Sequence, residues 1–119
     1  MLKKRSQFLK VAATRRKGVM PGLVLQVRAR EKATRGGPFE ARLGFTTSRK
    51  VGNAVARNRA RRRLRAAARE IMPSCARAGF DYVLIGRKAT LERPWQALLG
   101  DLKAALGKVH RHDNSRHDN

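Results

Sequence analysis

The chain reads as a small α/β (α+β) two-layer sandwich, and three features of its sequence predict this. Gly22–Arg30 and Ala41–Ser48 alternate apolar and polar residues with the period of two expected of half-buried strands. Asp81–Arg87, DYVLIGR, is a short and mostly apolar run of the kind that forms a buried strand. Around these runs lie stretches whose apolar residues recur at helical spacing and which end near proline or glycine. A length of 119 residues suits one domain with its own core, expected over residues 1–109.

Each element follows from local chemistry. Residues 1–7 read as a basic, mobile lead-in. A short helix is expected over Gln7–Lys17, with Phe8, Val11 and Ala12 on one side, before Gly18 and the Pro21-Gly22 break. The first strand puts Leu23, Leu25, Val27 and Ala29 on one face and Val24, Gln26, Arg28 and Arg30 on the other. Glu31–Glu40 reads as a loop around Gly36-Gly37-Pro38. The second strand puts Leu43, Phe45 and Thr47 on one face. A long central helix should begin near Asn53, a good N-cap residue, and stop near Met72, because Pro73 disfavours helix at the residue before it. After the DYVLIGR strand, Pro94 opens a last helix with the stripe Trp95, Leu98, Leu99, Leu102, Leu106 and Val109. The end, HRHDNSRHDN over 110–119, carries RHDN twice and reads as a polar, disordered tail. The order is helix, strand, strand, helix, strand, helix.

Charge narrows the function. Twenty-nine Lys and Arg face eight Asp and Glu, giving a net charge of +21 and a pI near 11.9. Such an excess suits a polyanion such as a phosphate backbone. No apolar stretch reaches the roughly 18 residues of a membrane span, and the N-terminus lacks the apolar core of a signal peptide. Cys75 is alone, so neither a disulfide framework nor a cysteine metal site can form within one chain. These features fit a reduced, cytoplasmic protein.

The charge is concentrated. From Arg42 to Arg69 there are ten basic residues and no acidic one. Like charges at helical neighbour positions repel, so a helix of this composition needs an external anion. On a helical wheel Ala56, Ala60, Leu64, Ala67 and Ile71 form a narrow apolar stripe. Asn58, Arg62, Arg65 and Arg69 fall opposite it, with Arg57, Arg59, Arg61 and Arg63 on the flanks. Arginine's planar fork grips two phosphate oxygens or stacks on a base. No helix-turn-helix pair precedes this helix and no zipper follows it, so sequence-specific DNA binding is not indicated. A membrane-surface role would need a larger apolar face.

The run Lys50-Val51-Gly52-Asn53-Ala54-Val55-Ala56-Arg57-Asn58-Arg59, followed by Arg61, Arg62 and Arg65, resembles the signature of the bacterial ribonuclease P protein subunit. The resemblance extends from the LKKRSQFL opening through DYVLIGRKA. It implies a small mixed sheet with a left-handed crossover, against the usual right-handed rule. It also implies that a large RNA subunit holds the active site and its Mg2+, while the protein helps remove the 5′ leader of precursor tRNA and binds no cofactor alone. By the same resemblance Arg57, Asn58, Arg59, Arg61, Arg62 and Arg65, with the ridge continuing to Arg69, would contact the RNA subunit, and Lys50, Gly52 and Asn53 form the lead-in of the motif. A cleft between the first helix and the sheet would hold the leader. Phe8 fits its first aromatic position, either as cleft or as core. Ala12 and Gln26 stand where relatives often carry aromatic residues, which suggests a more electrostatic grip with Arg28, Ser48 and Lys50 contributing.

The remaining residues offer little intrinsic chemistry. Glu31, Glu40, Glu70, Asp81, Glu92, Asp101, Asp113 and Asp118 are scattered, and His110, His112 and His117 all lie in the expected tail. General acid–base or metal-assisted cleavage by this chain alone is therefore not indicated. A structural RNA-binding protein of the ribosomal type is the alternative that composition leaves open.

Overall fold

Alternation in β2 decides which side of the sheet becomes the core. In the computed structural model, which describes residues 2–14, 16–30 and 41–117, the elements are α1 (Arg5–Ala13), β1 (Lys17–Val19), β2 (Leu23–Ala29), β3 (Arg42–Thr47), α2 (Ala54–Cys75), β4 (Phe80–Gly86) and α3 (Trp95–His117). Single-turn 3₁₀ segments, Arg49–Val51 and Lys88–Leu91, precede α2 and α3. The sheet order is β1-β2-β4-β3. The β1–β2 and β2–β4 pairs are antiparallel, and β3–β4 is parallel. This is a mixed sheet in which α2 bridges the parallel pair, and the helix and strand order agrees with the expected α+β arrangement. The loop expected at Glu31–Glu40 lies outside the described residues.

Leu23, Leu25 and Val27 of β2 and Tyr82 and Leu84 of β4 are buried against Leu64, Ala67 and Ile71 of α2 and Leu98, Leu102 and Leu106 of α3. Fully burying one such leucine contributes about 1.5–3 kcal/mol. The alanines of the α2 stripe let that helix lie close to the sheet. On the opposite sheet face α1 builds a smaller cluster of Leu2, Val11 and Val83, with Phe8 and Ile85 packed beside it. The N-terminal lead-in is thus anchored: Leu2 is buried and its N–H donates to the Leu43 carbonyl at 2.8 Å.

Three boundaries differ from expectation. The first helix ends at Ala13, because the Thr14 hydroxyl bonds the carbonyls of both Val11 and Val27 at 2.8 Å and ties the chain to β2. Lys17 belongs to the extra strand β1. There Gly18 passes so close to α3 that a Cβ would lie 2.9 Å from the Ala105 carbonyl oxygen. Second, Pro73 lies inside α2 and does not end it. Proline so near the C-terminus forfeits a single ladder bond, while buried Ile71 and Met72 hold the last turn on the core and Ala76 N–H donates to the Met72 carbonyl. Third, the break expected between 109 and 110 is absent, and α3 runs on to His117. His110 is buried, with Nε2 2.7 Å from the Tyr82 hydroxyl. That hydroxyl also accepts the Arg77 backbone N–H at 2.9 Å. The Phe80 ring meets His110 edge-on at 4.8 Å. The tail reading therefore fails from its first residue, because the partners of His110, Tyr82 and Phe80, lie on β4.

Candidate nucleic-acid interface

The turn that launches α2 is built by the lead-in of the motif. Ser48 Oγ accepts the Lys50 N–H at 3.2 Å, and Val51 is buried beneath the turn. Gly52 has φ 139°, a conformation side-chain-bearing residues rarely adopt. Asn53 then caps the helix, its Oδ1 accepting the Ala56 N–H at 2.9 Å. Gly52 and Asn53 thus set the direction of the helix, while Lys50 stands exposed beside it.

Ala60, Leu64, Ala67 and Ile71 face the core as expected. On the outer side Asn58, Arg59, Arg62, Arg65 and Arg69 are exposed. Arg57 and Arg61 are half-buried on the flanks, and the Arg61 guanidinium donates to Asn58 Oδ1 and reaches Thr47 Oγ1 at 3.5 Å. Arg65 sits 5.7 Å from the centre of the Phe45 ring, a cation–π contact. Phe45 itself packs on the main core with Leu43. Among the described residues, none of Arg59, Arg62, Arg65 and Arg69 pairs with a carboxylate. A row of guanidinium groups about one turn apart, lacking internal counter-charge, is suited to a phosphate backbone.

The opposite sheet face carries a second basic feature. Strand register aligns Thr46, Ile85 and Val24 in one row across β3, β4 and β2. The neighbouring row, Gly44, Val83 and Gln26, is the one that α1 packs upon. Phe8 lies so close there that a Cβ on Gly44 would come within 2.8 Å of its ring. The uncovered row leaves a groove of about 580 Å3 lined by Val24, Ile85, Ser48, Lys50, Arg87 and Lys88, among others. A second groove of about 420 Å3 adjoins the start of α1, between Lys3, Arg5, Phe8, Leu9 and Thr46.

The expected cleft residues are accordingly split. Ser48 and Lys50 line the larger groove, and Phe8 serves both readings, packed on the small core with part of its ring lining the smaller groove. Ala12 is exposed on α1, one turn beyond Phe8. Gln26 and Arg28 share the face of Val24 but pair with Val83 and Asp81 farther along β4. They do not line that groove: Gln26 lies in the row that α1 packs upon and Arg28 one row beyond it. Arg87 and Lys88 do line it beside Ser48 and Lys50 and were not among the expected residues. A basic pair directly after a buried strand was the available signal.

The acidic groups serve the fold. Burial pushes the Asp81 carboxyl up, but hydrogen bonds from Arg42 and then Arg30 outweigh this and hold it below its ordinary 3.8. Arg42 contacts it through two bonds of 2.8 Å and Arg30 through one of 2.5 Å. Asp101 accepts from Gly22 N–H and from Arg93, both at 2.9 Å; that hydrogen bond raises the Arg93 pKa. Among the described residues, no three His, Cys, Asp or Glu converge where a metal ion could be held, and no helix is long and apolar enough to cross a membrane.

Comparison with known proteins agrees with this fold. The Ribonuclease P family matches residues 1–110. A ribonuclease P protein component from Paramagnetospirillum magneticum is 58% identical over 108 residues, covering 91% of this chain and 80% of that protein. One from Ruegeria pomeroyi is 53% identical over 111 residues, covering 92% and 86%. The structure of the RNase P protein from Thermotoga maritima superimposes with a TM-score of 0.66 at 28% identity, over 87% of this chain and 94% of that one. The Staphylococcus aureus RNase P protein, at 21% identity and a TM-score of 0.66, covers 88% of this chain and 90% of its own and shares the fold.

Proposed function

The chain belongs to the ribonuclease P protein family, and from that premise we propose that it is the protein subunit of the ribonucleoprotein that removes the 5′ leader from precursor tRNA in the cytoplasm. The outer ridge of α2, with Arg57, Asn58, Arg59, Arg61, Arg62, Arg65 and Arg69, binds the RNA subunit. The open cleft beside α1 holds the single-stranded leader. Ser48, Lys50, Arg87 and Lys88 bind its phosphates, and Phe8 offers an aromatic surface for a base. Among the described residues two aromatic side chains line the groove beside α1, Phe8 and Phe45, and Phe45 also packs on the main core, so charge carries more of the grip than stacking, which is worth roughly 1–3 kcal/mol per base.

Cleavage chemistry belongs to the RNA subunit and its Mg2+. Among the described residues the two buried carboxylates, Asp81 and Asp101, are engaged with arginines, so neither is free to act as a general base or a metal ligand. The observation that carries the proposal is the placement of an unpaired arginine ridge on one side of the molecule and a basic cleft on the other. One small protein can thereby contact its RNA and the substrate leader together.

Reconstitution tests it. The protein is mixed with a bacterial ribonuclease P RNA and 5′-labelled precursor tRNA at low magnesium, with each component alone as a control. Leader release that needs both is the expected result. A protein that leaves RNA cleavage unchanged points to the ribosomal-type role, and cleavage by protein alone overturns the division of labour. RNA-subunit affinity should fall by roughly 0.7–0.9 log units per log unit of salt for every phosphate neutralised.

A further inference from the structure

Arg63 sits in the middle of the basic run, yet its guanidinium does not join the outward ridge. It is half-buried, Nη1 donating to the Thr90 carbonyl at 2.5 Å and Nη2 to the Arg93 carbonyl at 2.6 Å. The same group lies 5.9 Å from the Trp95 ring centre. Both carbonyls belong to the segment that leaves β4 and turns into α3. Other bonds also pin that segment, among them two from the Arg93 guanidinium to Asp101 on α3. Arg87 N–H donates to Thr90 Oγ1 at 2.8 Å, Thr90 Oγ1 donates to the Gly22 carbonyl at 2.5 Å, and the Arg87 guanidinium donates to the Met20 carbonyl at 2.7 Å. The first residues of the segment, Arg87 and Lys88, line the same groove as Ser48 and Lys50.

We propose that Arg63 is a positioning residue for leader recognition: it ties the RNA-subunit helix α2 to the Arg87–Lys88 wall of the leader cleft. Two charge-assisted bonds to carbonyls of one short segment fix its distance and orientation as a single attraction could not. Arg62 and Arg63 are identical in chemistry and adjacent in sequence, but one points to the RNA and the other into the fold. Loss of Arg63 lets the wall shift, so binding of the precursor suffers while binding of the RNA subunit does not.

This inference rests on the leader-cleft reading, and its test separates the two. Holoenzyme is reconstituted with a bacterial ribonuclease P RNA. Affinity is measured for precursor tRNA with a long leader and for leaderless mature tRNA, together with the salt slope of RNA-subunit binding. Arg63→Gln should lower the preference for the leader-bearing substrate by about tenfold, the scale of one lost charge-assisted hydrogen bond, and leave the salt slope unchanged. Arg63→Lys should restore part of the preference. Combining Arg63→Gln with Lys88→Ala should cost less than the two effects added, since both act through one wall. Arg62→Ala should show the reverse pattern, with a shallower salt slope and an intact leader preference. If Arg63→Gln fails to fold, Arg63→Met keeps the apolar stem beside Trp95 and gives the same comparison.

A salt slope reduced by roughly 0.7–0.9 in Arg63→Gln would place Arg63 on the RNA and overturn the proposal. Additive effects with Lys88→Ala, or equal losses for both substrates in step with a lower Tm, would overturn it too, leaving only a structural role. A wild-type holoenzyme that ignores the leader would overturn the cleft reading itself, and the role of Arg63 with it.

Discussion

Arg30 and Arg42 close around the buried carboxylate of Asp81 at one end of the sheet, whereas Arg59, Arg62, Arg65 and Arg69 stand about one turn apart on α2 and, among the described residues, pair with no carboxylate. The side chains are the same and the overall excess of charge surrounds both groups. They differ in what the fold places opposite. Around Asp81 two guanidinium groups share one carboxylate and the cluster stabilises the protein. Along α2 like charges repel, and the cost is offset only when phosphate arrives. Paired arginines belong to stability, and the proposed function gives the ridge arginines to binding.

Removing the shared acid should have the largest effect. Asp81→Ala leaves two guanidinium groups without their partner, and stability should drop by about 3–5 kcal/mol in urea unfolding. A loss below about 1 kcal/mol would mean that these arginines are as well solvated as the ridge.

The same carboxylate gives an acid limb of known sign. Its folded pKa lies below the ordinary 3.8, so its contribution is fully present above 3.8 and is lost as pH falls through the lower folded value. Asp81→Asn should flatten stability against pH in that window, and an unchanged acid limb would assign it to other carboxylates.

Next in size is Arg42→Ala, which spares Arg30 and should cost about 1–3 kcal/mol. Smallest for stability is the double change Arg62→Ala with Arg65→Ala. The unfolding free energy should stay within about 0.5 kcal/mol of the parent, with an unchanged circular dichroism spectrum. RNA-subunit binding should nonetheless weaken and its salt slope fall by about 1.5, the share of two phosphates. A variant that loses stability but keeps its affinity would reverse the assignment of the two arginine groups.

Much of this arrangement was legible in the chain. The alternation of Leu23, Leu25 and Val27, the Asn53 cap and the alanine stripe of α2 are local patterns, and local patterns report which residues face inward. The misreadings share a different origin. Pro73 is a strong local breaker, but two buried neighbours outweighed one missing hydrogen bond. Lys17–Val19 is too short to show a period, and only pairing with β2 makes it a strand. His110 sits in a polar run, and the residue that makes its burial tolerable, Tyr82, lies on β4. Gln26 and Arg28 share the face of the groove but not its position along the strand: Gln26 lies in the row that α1 packs upon and Arg28 one row beyond it.

By itself the sequence determined the helices and strands in outline, the apolar faces and the concentration of positive charge on one helix, because periodicity, capping and charge density are properties of neighbouring residues. The tertiary structure alone decided which arginines remain available. Arg63 meets its acceptor Thr90 across 27 positions and Arg42 meets Asp81 across 39. Burial and charge pairing at such separations depend on how strands and helices stack, and no local pattern along the chain records that.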